Sequence, residues 1–529
     1  MKHIKRPVVA IDTSNQMSLL ASEAVLESSP PASAPSRIRF EDPDPRLIRI
    51  NELPLEEHLK QMGQKTPLRT RALLERVSFA GFEASYHASG RPPYAPRAMV
   101  GLILYGIMHG VSSLRDLERL ARLDMGCWWI SGGIAPDHSI IGRFVQRHAE
   151  LLTQEFFKEL TQQVLKATGS NTQVLAGDGT VIEAAASRYR LMRAEALAQA
   201  LADAREQAQA EPSETKQRQV QQLEQAQAVV EQRISERRAH GKDVRMLLIQ
   251  PLEPDAVVQP QKDKQRFRAS YKPQVLANEA RVIVACDVHP SSETAKLPEL
   301  LDRASAQGKI KAALLDAGYF SDAVLQCMQA RDIELLCPEG RNEGEDWNKQ
   351  SNKLYPKSRF VYEAEQDCYM CPNGQRLSPI RHYQGNLQVK GYVIYATTAC
   401  TECPLKAHCT RSDEGRKIKR YAGDQAKDAL RLKMSQPEAR TRYLQRQAMV
   451  EPVFSHLRTR QGLNRFRRWG LSAVRVEFAL HAMAHNLSRA VVLLAILGLY
   501  RCRRLSRAIA TTILGSLVSS PLPISSRAN

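Results

Sequence analysis

The chain has 529 residues, which is too long for a single simple domain. Its hydrophobic fraction of 43% and charged fraction of 25% are ordinary for a globular protein. Its net charge of +19 favours a polyanionic partner, most often nucleic acid, although anionic membrane surfaces attract the same charge. The longest apolar run, "VVLLAILGLY" at residues 491–500, is too short to span a bilayer, so a buried terminal helix is the better interpretation.

The first residues and the cysteines indicate the compartment. The segment "MKHIKRPVVAIDTSNQ" has basic residues but no apolar core, so no secretory signal is predicted. The ten cysteines are unevenly spaced, which fits a reducing cytoplasm better than a disulfide framework. We therefore expect a cytoplasmic protein.

The first third of the chain predicts a disordered tail followed by helices. Residues 1–40 form the tail, which is rich in Ser, Pro and Ala, and residues 41–168 form a helical unit. The segments "APRAMVGLILYGIMHG" and "SSLRDLERLARL" predict two short helices joined by a tight turn, with Ser113 in a capping box. Such a pair is typical of a DNA-binding helix-turn-helix or of plain helical packing, and the pattern leaves both open. A longer helical stretch begins with Asp137 or Ser139 as its cap.

Residues 169–337 change period and predict a mixed α/β sheet. The segment "TQVLAGDGTVIEAAAS" is typical of a strand with a tight polar turn, and "YKPQVLANEARVIVACDVH" of a hairpin that turns near Asn278. Strands then alternate with helices up to residue 337. A polar segment at about residues 190–245 lacks a sustained apolar seam, which predicts a solvent-exposed helical insertion.

The remaining sequence predicts three further parts. Residues 338–430 interrupt the sheet with polar loops and a cysteine cluster. Residues 431–500 have a helical pattern that breaks around residues 462–470, and residues 501–529 form a basic tail. The expected fold class is therefore an α/β core with an N-terminal all-α domain, a helical insertion and a cysteine-rich insertion.

Three carboxylates are candidates for chemistry. Asp178 and Asp316 each follow an apolar strand, and Glu451 is the single acid at the head of a basic segment. Acids at strand ends on one edge of a sheet can converge, and three of them suit two Mg²⁺ ions, which take oxygen ligands. Taken singly, "GDG" and "DAG" are also good turn sequences, and a lone glutamate is often a surface group.

Five blocks in order resemble bacterial insertion-sequence transposases of the DDE type over roughly residues 40–490. They are "SGRPPYAPRAMVGLILYGIMHGVSSLRDLERLARLD", "PDHSIIGRF", "LAGDGTVIEAAAS", "LLDAGYFSDAVL" and "YLQRQAMVEPVFSHLRTRQGLNRFRRWGL". The resemblance implies that Asp178, Asp316 and Glu451 bind two Mg²⁺ or Mn²⁺ ions on a ribonuclease H-like core. One ion would activate water or a 3′-hydroxyl, and the other would stabilise the leaving 3′ oxygen.

This resemblance implies a DNA transposase that cleaves the ends of its element and transfers the strand to target DNA. The expected partners are the element's terminal repeats and target DNA, with the chain acting as a homodimer in the DNA complex, associated with the nucleoid and not with a membrane. Its N-terminal helical domain would bind DNA. Two alternatives stay open: a catalytically inactive DNA-binding protein, and a metal-dependent nuclease of the same fold without strand transfer.

Basic residues around Glu451 also match the family. The resemblance places a Tyr, an Arg and a Lys or Arg near the glutamate, which Tyr443, Arg446 and Arg458 match, and implies that they hold phosphates near the metals. Pro452 predicts a kink or a fresh helix start directly after the acid. Arginines with interleaved aromatics suit DNA backbones and unpaired bases, although core aromatics with solvated arginines are the alternative. The candidates in this stretch are Arg465, Phe466, Arg467, Arg468 and Trp469.

The cysteine cluster predicts a structural or DNA-contacting zinc site. Two C-x-x-C knuckles and a later cysteine supply five candidates for the four places of tetrahedral thiolate zinc, so the ligand set stays open, as does a metal-free or iron–sulfur module. The candidates are Cys368, Cys371, Cys400, Cys403 and Cys409. Two further features lie outside these sites. His481 and His485 are interpreted as packed or surface residues, and Lys272 stands where the family favours a small polar residue.

Overall fold

A computed structural model describes residues 38–87, 91–239, 241, 243–245, 247–261, 266–340, 354–385 and 390–518, without the side chains of residues 498–518. Most of the predicted disordered tail therefore lies outside the described residues, as do the side chains of the predicted basic tail. The N-terminal part is helical, after a two-stranded hairpin of β1 (Arg49–Ile50) and β2 (Leu53–Pro54). Its helices are α1 (Leu55–Gln61), α2 (Lys65–Leu74), α3 (Ala80–Glu83), α4 (Pro96–Met108), α5 (Leu114–Leu123), α6 (Met125–Ser131), α7 (His138–Arg147), α8 (Ala149–Thr153) and α9 (Glu155–Thr168).

The helix caps follow the local sequence. Ser113 accepts a hydrogen bond from the Asp116 amide at the start of α5, which confirms the predicted cap. Asp137 caps α7 through the Ile140 amide, so it is the aspartate and not Ser139 that begins this stretch. α4 is buried along nearly its whole length, which makes it the core helix of this part of the protein.

The main sheet is mixed, as predicted. Its strands are β3 (Val174–Gly179), β4 (Ile182–Glu183), β5 (Val257–Pro260), β6 (Phe267–Asn278), β7 (Ile283–His289), β8 (Ala312–Leu314) and β9 (Glu334–Leu336). β6 pairs antiparallel with β3 and β7, and β8 pairs parallel with both β3 and β9, so the central order is β7-β6-β3-β8-β9. α12 (Leu297–Ser305) and α13 (Asp322–Gln329) connect the later strands. The hairpin of β6 and β7 turns just after Asn278, which confirms that prediction.

The predicted helical insertion is a helical hairpin with a small core of its own. α10 (Ala194–Ala210) and α11 (Glu214–Ala239) pack against each other, and Pro212 lies in the turn between them. This confirms the predicted helical insertion, and short stripes at helical spacing meet across the hairpin where no sustained seam exists. These stripes bury Leu197, Leu201, Ala204, Leu223, Ala226 and Val230.

The region predicted as polar loops contains a second, antiparallel sheet. Its strands β10 (Val361–Glu363), β11 (Cys368–Met370), β12 (Arg376–Gly385), β13 (Lys390–Ala396) and β14 (Ile418–Tyr421) lie in chain order, and a short helix, α14 (Lys406–Cys409), precedes β14. The expectation of loops was wrong because a few alternating aromatic and aliphatic residues suffice to cover one face of a meander. That face buries Phe360, Tyr369, Leu377, Tyr395 and Ile418.

Three helices complete the described chain: α15 (Asp424–Ser435), α16 (Pro437–Thr459) and α17 (Leu471–Val518). The break between α16 and α17 contains Gly462 and Gly470, both with positive φ, which confirms the predicted interruption. Pro452 lies inside α16, so of the two predicted alternatives the fresh helix start was wrong, and the kink stays a prediction. The predicted boundary at residue 500 falls within α17 and not at the end of an element.

α17 is the long core helix of the C-terminal part. It packs against β7, α4 and α9, and its first half is almost entirely buried. By length and composition alone, Leu471–Leu497 could cross a membrane, and 56% of its most apolar window is buried inside the protein. The apolar stretch is longer than the run seen in the sequence because the helix begins well before it. Packing against the sheet accounts for its apolar character.

Two buried histidines of α17 are held neutral by burial. His481 pairs through Nδ1 with Gln461 Oε1 at 2.8 Å, and burial lowers its pKa to about 3. His485 contacts the Arg281 carbonyl at 2.8 Å and His456 at 3.1 Å, and burial lowers its pKa to about 3 as well. Both are packed residues, as predicted.

Acid should therefore destabilise this core. Because the folded pKa of His481 lies below the ordinary value, its contribution is fully present above about pH 6.5 and is lost as the pH falls towards 3. We expect His481→Asn, which keeps a donor for Gln461, to reduce the loss of unfolding free energy between pH 7 and pH 5 by about 2 kcal/mol. Denaturant titrations at both pH values measure this, with the exposed His382→Asn as control. An unchanged pH dependence would contradict the assignment.

Candidate active site

Parallel pairing of β3 with β8 places two aspartates side by side. Ala176 lies opposite Leu314 in the register, so Asp178 and Asp316, each two residues further on, reach the same edge of the sheet. Asp178 Oδ1 accepts a hydrogen bond from the Gly179 amide, and Asp316 caps a short 3-10 helix by accepting from the Gly318 amide. Both carboxylates are thus held by local backbone donors at the carboxyl end of parallel strands.

Arg446 of α16 lies between the two acids. Its Nη2 is 3.1 Å from Asp178 Oδ1 and 3.9 Å from Asp316 Oδ2, while its Nε donates to the Gly177 carbonyl. The arginine side chain is largely buried. It therefore supplies the positive charge that two neighbouring carboxylates require.

Burial dominates the electrostatics of Asp178. It raises the pKa of this carboxyl to about 6, although Arg446 and the Gly179 amide lower it. Asp316 and Glu293 raise the pKa of Asp178 further, which shows that three carboxylates share this edge of the sheet. The same three acids also raise the pKa of the buried Tyr319 hydroxyl, after burial itself.

Glu451 lies on the same helix as Arg446, five residues later, with an exposed side chain. Its Oε2 accepts a hydrogen bond from Gln447 Nε2 at 3.1 Å. In the part of the chain that the structure describes, no three His, Cys, Asp or Glu side chains stand together closely enough to hold a metal ion. The structure thus brings together Asp178 and Asp316 and leaves Glu451 on the neighbouring helix surface.

Several of the predicted DNA-contacting residues hold the protein together. Arg458 donates to Thr180 Oγ1 and to the Val181 carbonyl, both at 2.7 Å, directly after the Asp178 strand. Arg465 donates to the carbonyls of residues 184–186. These two contacts fasten the C-terminal helices to the edge of the sheet that carries the aspartate.

The other members of this set divide by exposure. Tyr443 is half-buried near Asp316, and burial raises its pKa. Phe466 is buried against Tyr271, which bears out the core alternative for this aromatic residue. The remaining candidates reach the surface to different degrees: Trp469 and Arg467 are exposed, whereas Arg468 is partly buried.

Cys409 lies within electrostatic range of three other candidate cysteines, although the described side chains do not form a closed metal site. Burial raises the pKa of the Cys409 thiol, and Cys400, Cys371 and Cys403 raise it further. Cys368 stands apart, fully buried in β11 with its Sγ directed to Glu363. Of the remaining cysteines, Cys127, Cys286 and Cys337 are buried, Cys327 is partly buried, and the Cys502 side chain lies outside the described residues.

Sequence reasoning missed Glu293, although it singled out the residue that pairs with it. Glu293 lies in the loop before α12, and its Oε1 accepts from Lys272 Nζ at 2.8 Å. The unusual Lys272 was the one available signal, because a lysine on a strand beside an acidic site needs a counter-charge.

Two known family models match parts of this chain. A model described as "Transposase DDE domain" matches residues 370–491, and one described as "Transposase domain (DUF772)" matches residues 54–147. Together they cover less than half of the chain, and the first includes Glu451 but begins after Asp178 and Asp316. No curated protein matches the chain significantly. The two matches confirm the resemblance to insertion-sequence transposases of the DDE type.

Removing the bridging arginine should destabilise the metal-free protein. Arg446→Gln leaves two carboxylates without their shared cation, and we expect it to lower the unfolding free energy at pH 8 by about 1–3 kcal/mol. Arg442→Gln is the matched control, because Arg442 on the same helix pairs with Glu334 at a half-exposed site and should cost less than about 1 kcal/mol. Equal effects of the two variants in denaturant titrations would contradict a special role for Arg446.

Proposed function

We propose, from the premise that the chain is a DDE-type insertion-sequence transposase, that it cleaves the ends of its element and transfers them to target DNA through Asp178, Asp316 and Glu451. The observation that carries this proposal is the pair of aspartates on adjacent parallel strands, bridged by an arginine from the helix that contains the glutamate. Such a site concentrates carboxylates that can bind the divalent cations needed for attack on a phosphodiester.

The central sheet supports a ribonuclease H-like core. Three antiparallel strands, β7, β6 and β3, are followed by β8 and β9, which run parallel to β3. The helices between and after these strands cover the sheet, and α16 crosses next to β3 and β6. This arrangement supplies the edge at which the two aspartates meet.

The donor set fits hard divalent cations. Transposases of the DDE family generally use divalent metal ions, and carboxylate oxygens suit two Mg²⁺ or Mn²⁺ ions. When bound, these ions supply charge neutralisation and activation of water or of a 3′-hydroxyl. Asp178 and Asp316 would hold them from the sheet, and Glu451 would join after giving up its hydrogen bond to Gln447.

The chain's own residues then have separate tasks. Arg446 is placed to release the aspartates to metal and to take up a phosphate charge instead, since guanidinium groups bind both carboxylates and phosphates. The exposed Arg467 and Trp469 are proposed to contact the DNA backbone and an unpaired base. The exposed charged face of α5 is the candidate DNA-binding surface of the helical domain. Joining two ends further requires two copies of the chain, so a homodimer is proposed in the DNA complex.

The second sheet, β10 to β14, and its connecting turns are proposed to hold a structural Zn²⁺. Cys371, Cys400, Cys403 and Cys409 are the proposed ligands because the first three act electrostatically on the Cys409 thiol, whereas Cys368 is buried in a strand. Closing the site would need small rotations of these side chains, which lie in turns and in the short helix α14.

Cleavage of DNA tests the main proposal. With labelled DNA from the element's ends and Mg²⁺, Asp178→Asn and Glu451→Gln should each lower the cleavage rate by about 1,000-fold or more. Glu438→Gln, an exposed glutamate on the same helix, should cleave normally. Cleavage by Glu451→Gln at the wild-type rate would remove this residue from the site. A precleaved end with a free 3′-hydroxyl and a target plasmid should give joined products, and cleavage without joining would favour the nuclease alternative.

Metal analysis tests the zinc proposal. The purified protein should contain about one zinc per chain, and Cys400→Ser or Cys403→Ser should lose it. Cys368→Ala should retain it, because its Sγ lies apart from the other four thiols. Loss of zinc from Cys368→Ala but not from Cys403→Ser would reverse the assignment.

A further inference from the structure

Glu293 reaches the edge of the sheet where the two aspartates lie, through space left by two glycines. A Cβ at Gly179, directly after Asp178, would lie 3.0 Å from Glu293 Cγ. A Cβ at Gly318, two residues after Asp316, would lie 3.1 Å from Asp316 Oδ1 and 3.8 Å from Glu293 Oε2. The glycines of "GDG" and "DAG" therefore form a cradle that a larger residue would fill.

Lys272 holds one oxygen of this carboxylate and leaves the other directed at the site. Its Nζ donates to Glu293 Oε1 at 2.8 Å, and both side chains are partly buried at the edge of the sheet. Glu293 Oε2, which faces Gly318 and Asp316, has no hydrogen-bonding partner among the residues that the structure describes. A carboxylate fixed by one oxygen and open at the other is oriented in the way that metal ligands usually are.

A purely structural ion pair would not need this position. The pair Lys296–Glu299, a few residues later, bridges neighbouring positions at the start of α12, where an ion pair needs no cradle. Glu293 instead lies beside Gly179 and Gly318, next to both aspartates, where its charge repels theirs. A cation bound between these carboxylates would offset that repulsion.

We propose that Glu293 is a further metal ligand of this site, supplying Oε2 to a divalent cation shared with Asp178 or Asp316, and that Lys272 is its positioning residue. The inference rests on the proposed function, since it adds a carboxylate to the same metal site. It assigns a role to Lys272, whose ammonium fixes Oε1 and prevents the side chain from turning to solvent. It also assigns a role to Gly179, whose missing side chain lets the carboxylate approach.

Binding of Mn²⁺ to the full-length protein without DNA, measured by calorimetry or electron paramagnetic resonance, tests this directly. Glu293→Gln should weaken Mn²⁺ binding at least tenfold while leaving thermal stability in the absence of metal within a few degrees of wild type. Gly179→Ala should weaken it similarly, because the new Cβ displaces Glu293 without removing any carboxylate. Glu299→Gln, the matched control from the neighbouring ion pair, should bind as wild type.

Variants of Lys272 distinguish a role in positioning Glu293 from a purely electrostatic effect on cation binding. Lys272→Met makes the site more negative and should strengthen Mn²⁺ binding if Lys272 only repels cations. A positioning role predicts a severalfold weakening, which Lys272→Arg restores at least in part. Stronger binding by Lys272→Met would overturn the positioning role.

The aspartate variants distinguish a failure of the role proposed for Glu293 from a failure of the proposed function. If Asp178→Asn abolishes Mn²⁺ binding and cleavage while Glu293→Gln binds as wild type, the role of Glu293 is overturned and the proposed function stands. If Asp178→Asn leaves both unchanged, the proposed function itself fails. If both proposals hold, cleavage by Glu293→Gln should recover at high Mn²⁺ concentration, whereas cleavage by Asp178→Asn should not.

Discussion

The pairing of two parallel strands, β3 and β8, is the constraint on which the candidate site depends. Their register sets Asp178 and Asp316 next to each other at one sheet edge, where neither acid has an acidic or basic neighbour of its own in sequence. Two partly buried carboxylates in contact are unfavourable unless a cation lies between them. The protein meets this requirement with Arg446, and that one contact determines how α16 must lie on the sheet.

The second half of α16 and the segment after it continue the attachment. Arg458 binds the turn that follows Asp178, and Arg465 binds the backbone after β4. Part of the basic stretch that the sequence assigns to DNA binding thus donates hydrogen bonds to the protein's own carbonyl groups. Two of its arginines, Arg458 and Arg465, anchor this segment to the backbone after β3 and β4. Under the proposed function, DNA would be met by those that remain exposed, such as Arg467. Placement and binding are therefore shared between neighbouring residues of one segment.

Local patterns predicted what depends on local chemistry. The caps at Ser113 and Asp137, the hairpin at Asn278 and the two aspartate-bearing strands all follow from neighbouring residues. The second sheet, β10 to β14, was missed because its short strands carry few apolar residues. The core of the helical insertion was missed because it forms only where the two helices of the hairpin meet. Glu293 and Lys272 are 21 positions apart and meet only after β6 and β7 pair, so no local signal connects them. Long-range contacts of this kind lie beyond periodicity and turn chemistry.

Under the proposed function, charge balance would link metal binding to DNA binding at this site. In the metal-free protein, Arg446 and Lys272 offset only part of the charge of Asp178, Asp316 and Glu293, so the edge remains acidic. Two divalent cations would reverse that balance and leave an excess of positive charge in a partly buried place, which is costly unless an anion enters as well. A DNA phosphate is such an anion, and it also offers Arg446 a new partner when the aspartates turn to the metal. Each ligand therefore lowers the cost of binding the other, and by linkage the coupling acts equally in both directions.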